Sequence, residues 1–172
     1  MPRSRHRAAL AVLGLSALLG MLAACSPGTS APSPAASESA PAAAFTLSST
    51  DFTDGSELAE EFTADAFSGQ CRGENRNPAL SWEGAPVGTV SFAVTMVDIS
   101  AGDFVHWVHA GIPAEVTSVD SGAAGELPGV AGQSATGQFG YFGPCPPTPD
   151  HEYVFTVHAL DTVLDLDENA TA

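Results

Sequence analysis

Four side chains able to do acid–base or hydrogen-bond chemistry stand at the ends of apolar runs: Asp98, His106, His151 and Tyr153. A carboxylate can orient an imidazole, an imidazole can donate or accept a hydrogen bond, and a phenol can donate one. Brought together, such groups make either a small polar pocket for an anion or an acid–base pair for hydrolysis. Kept apart, they are core residues with satisfied hydrogen bonds. Which of these holds depends on the strands that carry them.

The last of those strands follows a rigid loop. Pro144, Pro146, Pro147 and Pro149 fix φ and remove backbone donors, so residues 144–149 are neither helix nor central strand. From Tyr153 to Leu160 the chain alternates. Tyr153, Phe155, Val157 and Ala159 fall on one face, and Val154, Thr156 and His158 on the other. His151 and Tyr153, two residues apart, point the same way. Residues 90–97 are β-branched, mostly apolar and uncharged, which predicts a strand buried on both faces and ending at Asp98. Residues 104–112 predict the next strand, with His106 and Val108 on one face and Val105, Trp107 and His109 on the other. Shorter extended pieces are expected at 45–47 and 80–82. Residues 57–67 read as loop or short helix, and 114–140 as a long irregular excursion of the kind that is functional or poorly ordered. His109, His158, Trp82 and Trp107 read as strand or core residues, and Asp103 as a turn residue.

The 172 residues suffice for one ordinary domain. There is no lysine. Arg3, Arg5 and Arg7 lie at the N-terminus, which leaves Arg72 and Arg76 against twenty acidic residues beyond residue 37. So acidic a surface repels nucleic acid and gains nothing from anionic lipid. Residues 1–24 have the basic start and apolar run of an export signal. Leu22-Ala23-Ala24-Cys25 resembles a bacterial lipobox, which implies cleavage before Cys25, lipidation of its sulfur and an extracytoplasmic, membrane-anchored protein. The Pro/Ser/Ala-rich tether fills residues 25–44, and the folded domain residues 45–172. With Cys25 lipidated, Cys71 and Cys145 remain, either as a disulfide or as two thiols flanking one pocket.

Asn77-Pro78-Ala79-Leu80-Ser81-Trp82, Val97-Asp98, Val105-His106-Trp107-Val108, Gly143-Pro144-Cys145-Pro146-Pro147, His151-Glu152-Tyr153-Val154-Phe155 and Ala159-Leu160-Asp161 follow one another in a recognisable order. The chain from Phe45 to Leu166 thereby resembles the phosphatidylethanolamine-binding protein family, in its bacterial Raf-kinase-inhibitor-like branch. The resemblance implies a mostly β protein, a β-sandwich of antiparallel sheets with few short helices. It also implies a pocket for a small anion or a phospholipid head group. By position, Asp98, His106, His151 and Tyr153 match the pocket motifs, while Gly143 and Pro144 match the loop offering backbone groups to phosphate.

Several positions depart from the family pattern. Ile99 and Ser100 stand where it has Pro and Asp, and Asp150 and Glu152 flank His151 in place of Gly and Arg. The family's C-terminal helix has no counterpart in residues 164–172. Asp98 is expected to orient or charge a histidine and raise its pKa. Arg72 and Arg76 are either drawn to the pocket rim by a Cys71–Cys145 bridge or left as solvated charge near Glu74.

Three functions compete: a ligand-binding module, an inhibitor-like protein acting on an unknown protease or kinase through 115–140, and a hydrolase using Asp98, His106 and His151. No serine or cysteine lies in a nucleophile motif, and the His and Asp spacing is not that of a metal site. The expectation is therefore a non-enzymatic binding protein with no cofactor and no metal.

Overall fold

The structure is a computed structural model and describes residues 44–148, 151–164 and 166. The export signal, Cys25, most of the tether, Pro149, Asp150 and the C-terminal residues 165 and 167–172 lie outside the described residues.

The apolar run at 90–97 and the alternation at 104–112 and 153–160 become three long strands: β5 (Ser91–Asp98), β6 (Phe104–Pro113) and β9 (Tyr153–Leu160). With the short β8 (Val130–Ala131) they form an antiparallel sheet in the order β8-β6-β5-β9. The most apolar strand, β5, takes the central place, where both of its edges are paired and Phe92, Val94 and Met96 are fully buried. A second antiparallel sheet has the order β1-β4-β7, from β1 (Thr46–Ser48), β4 (Leu80–Glu83) and β7 (Ser118–Val119). Leu80 and Trp82 of the second sheet pack against Phe92, Met96, Trp107 and Ile112 of the first, giving two layers over one apolar core. A ribbon of β2 (Asp65–Ala66) and β3 (Cys71–Arg72) completes the strands.

The only helical elements among the described residues are single 3-10 turns, such as Glu60–Phe62 within the 57–67 stretch. The excursion 114–140 is more regular than expected. It supplies β7 and β8, and the Gly132 and Ala135 amides donate to the Val108 and Val105 carbonyls of β6. The excursion lacks a sequence period because its strands are two residues long. Trp82 and Trp107 are core residues, as read, and Asp103 sits in a left-handed turn conformation.

Candidate functional site

The β5–β6 register shifts twice, once between Phe92 and Val94 and once between Met96 and Val97, and the site depends on the second. Trp107 pairs with Met96 of β5, but the next pairs are Val105 with Val97 and Phe104 with Asp98. The unmatched residue is His106, which forms a β-bulge. A bulge resets the alternation and re-aims a side chain. The strict alternation expected for 104–112 is therefore interrupted at His106, and Phe104 lies opposite Asp98. On the other edge of β5, Tyr153 pairs with Asp98. Three strands thus deliver Phe104, His106, Asp98 and Tyr153 to one spot.

A cavity of about 190 Å³ opens there, lined by Asp98, His106, His151 and Tyr153 together with Phe67, Phe104, Phe142 and the prolines 146 and 147. Ligand cavities for drug-sized molecules run to roughly 300–1,000 Å³, so this one is smaller than those. His106 and Tyr153 meet edge to face at 5.2 Å between ring centroids, and His151 lies 6.4 Å from Tyr153. The wall is aromatic and proline-rich, the floor polar.

Asp98 is buried and its carboxylate is fully engaged. Oδ1 accepts from the Ser100 and Ala101 amides at 2.9 and 3.0 Å, which closes the 3-10 turn Ile99–Ala101. Oδ2 accepts from His151 Nδ1 at 2.7 Å. His106 Nδ1 donates to the Phe142 carbonyl at 2.7 Å, and the two rings stack. Both partners are pure acceptors, so both imidazoles carry a proton on Nδ1 and leave Nε2 for a ligand. Burial lowers the His106 pKa below its ordinary value, outweighing the Phe142 carbonyl and the Asp98 charge, which raise it. Asp98 thus orients His151, as expected of it for a histidine, and its charge pulls the His106 pKa upward, but desolvation outweighs that pull.

Tyr153 differs from the others. Its Oη is buried and makes no well-formed hydrogen bond among the described residues. Burial first, then the negative charge of the neighbouring Asp98 carboxylate and a weak hydrogen-bonding contact with it, too poorly aligned to satisfy the hydroxyl, hold the phenol pKa above its usual range. The group stays protonated and remains a donor.

Gly143 and Pro144 are placed differently from the expectation that they present backbone groups to a ligand. The Gly143 amide donates to Asn75 Oδ1 at 2.8 Å, and the Pro144 carbonyl accepts from the Ala64 amide at 2.9 Å. Neither lines the cavity. Gly143 is required for another reason: a Cβ there would come within 2.5 Å of the Phe62 carbonyl oxygen and 2.6 Å of the Ala64 nitrogen. Asn75, in a left-handed conformation, and Phe142 with its carbonyl are the supporting residues that sequence reasoning missed. Asn75 left a faint signal, since Asn tolerates positive φ in a polar loop. Phe142 left none.

Cys71 and Cys145 form a disulfide with Cα atoms 5.7 Å apart, and Cys145 is part of the cavity wall. The bridge does not bring the arginines to the cavity. Arg76 pairs with Glu61 at 3.2 Å and Glu74 at 3.5 Å on the surface, and Arg72 donates to the Gly69 carbonyl. Among the described residues, no group of three His, Cys, Asp or Glu is arranged to hold a metal ion.

A family model described as phosphatidylethanolamine-binding protein matches residues 48–172. The UPF0098 protein of Methanothermobacter thermautotrophicus is 39% identical over 131 residues, covering 73% of this chain and 82% of the relative. The UPF0098 protein YbcL of Escherichia coli is 41% identical over 140 residues, 74% of this chain and 75% of its own. LppC of Mycobacterium tuberculosis, named as a lipoprotein, is 36% identical over 132 residues, 73% of this chain and 60% of its own. The crystal structure of E. coli YbcL, described as a new member of the mammalian PEBP family, superposes with a TM-score of 0.69 at 35% identity, covering 74% of this chain and 84% of that one.

Proposed function

The chain belongs to the phosphatidylethanolamine-binding protein family, and from that premise we propose that its domain is a binding module for a small anion or a phosphorylated head group. The observation that carries this reading is the buried Tyr153 Oη on the cavity wall, which makes no well-formed hydrogen bond among the described residues. A buried donor without a well-formed bond loses roughly 1–3 kcal/mol of hydration, and an incoming oxygen acceptor restores it. The two Nε2 atoms set the ligand's protonation. With Nδ1–H fixed by Phe142 and Asp98, a neutral imidazole presents only an acceptor. The ligand therefore brings a hydrogen of its own, as hydrogen phosphate or a phosphomonoester does, or its binding draws a proton onto His106.

The reading is of binding rather than turnover. Cys145, the one cysteine on the cavity wall among the described residues, is in a disulfide, and Ser100 Oγ accepts from the Glu152 amide. The ordered motifs extend the proposal to the bacterial Raf-kinase-inhibitor-like branch. The export signal and the Leu22–Cys25 motif extend it to a lipidated protein at the extracytoplasmic membrane face; the lipoprotein name of LppC supports that extension. Thermal denaturation with inorganic phosphate or methyl phosphate tests the pocket. The ligand raises the melting temperature of the wild type and not that of His151→Ala; no shift in either sinks the reading. Cys25→Ala moves the protein from the membrane fraction to the soluble fraction; unchanged membrane association overturns the anchoring.

A further inference from the structure

The loop that joins β2 to β3 is strained, and it reaches the cavity. The two strands pair as Asp65 with Arg72 and Ala66 with Cys71, which leaves Phe67–Gln70 as the connection. Phe67, Ser68 and Gly69 all have positive φ, at 54°, 56° and 86°. Glycine adopts such values freely, whereas a phenylalanine there is an outlier that costs free energy. The Phe67 side chain remains 57% exposed, so burial offsets little of that cost. Strain of this kind persists only where the surroundings over-determine it, and it concentrates at ligand sites.

Local contacts hold the loop in place. The Gln70 amide donates to the Phe67 carbonyl at 3.3 Å, and Arg72 Nε donates to the Gly69 carbonyl at 3.1 Å. The Cys71–Cys145 bridge ties the ribbon to the proline loop, which also lines the cavity. So held, Phe67 lines the cavity and meets Phe142 edge to face at 6.4 Å. Phe142 in turn stacks on His106 at 5.7 Å. Phe67 therefore stands one ring away from an imidazole whose Nε2 is left for an anion.

The polar side chains of the cavity are Asp98, His106, His151 and Tyr153; the remaining ones are Ala101, the bridged Cys145, three phenylalanines and two prolines. A group attached to a bound anion thus meets carbon and sulfur. A polar substituent gives up water there without gaining a hydrogen bond, while an apolar one gains with the area it covers. We propose that Phe67 is a specificity-determining residue, and that the cavity prefers a small phosphomonoester whose substituent is apolar, an alkyl or aryl group that packs on the Phe67 ring. The inference rests on the anion reading given above and adds the chemical class of what the anion carries. The strained loop presents the ring before a ligand arrives, which spares the complex the ordering of that side chain.

Calorimetric titration of the full chain with methyl phosphate, butyl phosphate and phosphoethanolamine tests it. The wild type binds butyl phosphate about tenfold more tightly than methyl phosphate, the effect of partly burying the added methylenes. It binds phosphoethanolamine no more tightly than methyl phosphate. Phe67→Gly, which suits a positive φ, brings the butyl and methyl affinities together, and Phe67→Tyr, which restores a ring, keeps them apart. Ligand-free Phe67→Gly melts within about 4 °C of the wild type, since the ring is not needed for the fold. Equal affinities for butyl and methyl phosphate in the wild type, a butyl preference that survives in Phe67→Gly, or tighter binding of phosphoethanolamine than of butyl phosphate overturns the proposal and leaves the anion pocket standing. A larger fall in the melting temperature of Phe67→Gly shows the ring to be packing and overturns the proposal as well. Failure of all the compounds to bind is a different result, which overturns the anion reading itself and this inference with it.

Discussion

His151 Nδ1 lies 2.7 Å from Asp98 Oδ2 although 53 residues separate them. The contact joins the end of the central strand β5 to the residue that leads into the edge strand β9. The same carboxylate closes the turn after β5 through the Ser100 and Ala101 amides. One buried group thus fixes both a local turn and the long-range placement of an imidazole.

Replacing that group has two separable effects. Asp98→Ala strips two amides and one imidazole of their acceptor, and destabilises the fold by about 1–3 kcal/mol. Asp98→Asn keeps an oxygen for the turn amides and is milder in denaturant titration. Both weaken anion binding, because His151 is no longer held. Equal stability of Asp98→Ala and wild type contradicts this assignment.

Tyr153→Phe removes a buried hydroxyl that makes no well-formed hydrogen bond among the described residues. The apoprotein is expected to keep its stability to within about 1 kcal/mol in chemical denaturation, since no well-formed hydrogen bond is broken and a polar group leaves the interior. The same variant loses about tenfold in phosphate affinity, the value of one hydrogen bond to an anionic acceptor. A clear loss of apoprotein stability shows that the phenol has a structural partner.

His106 and His109 both have pKa values lowered by burial. An unfolded chain takes up a proton on each near pH 6.5, the native chain only at lower pH. The unfolded state therefore binds more protons in the window below about 6.5, and stability falls as pH drops through it. Above about 6.5 these two groups add no pH dependence. His106→Gln, which retains a donor for the Phe142 carbonyl but cannot be charged, reduces the slope by up to about 1.4 kcal/mol per pH unit. Melting curves between pH 5 and 8 measure it, and an unchanged slope refutes it.

The Cys71–Cys145 bridge closes a loop with a sequence separation of 74. In the chain-entropy model a loop of this size contributes about 4 kcal/mol. Reduction, or Cys71→Ser/Cys145→Ser, lowers stability by that order and weakens anion binding as well, because Cys145 is part of the cavity wall. Loss of stability with full retention of binding separates the strap from the site.

The three long strands were legible, two from period-two runs and β5 from a continuous apolar run, and with them the placement of Asp98, His106, His151 and Tyr153 on or next to those strands. The bulge was not. Val105-His106-Trp107 reads as smooth alternation, and nothing in residue type announces the extra residue opposite β5. The tight packing of Gly143 against the Phe62–Ala64 backbone was not legible, since glycine as a residue type does not say what approaches it. The short strands in 114–140 were invisible because two residues make no period. The unsatisfied state of Tyr153 Oη is a property of what surrounds it and has no sequence signature.

The most direct measurement is the number of protons taken up when the full chain binds sulfate, an anion that carries no hydrogen at neutral pH. Calorimetric titration at pH 7.5 in buffers of differing ionisation enthalpy gives that number. The account predicts uptake approaching one proton per sulfate in the wild type, no uptake when His106→Gln and His151→Gln are combined, and tighter binding as pH falls. Binding without proton uptake, or no binding at millimolar sulfate at any pH from 5 to 8, contradicts it.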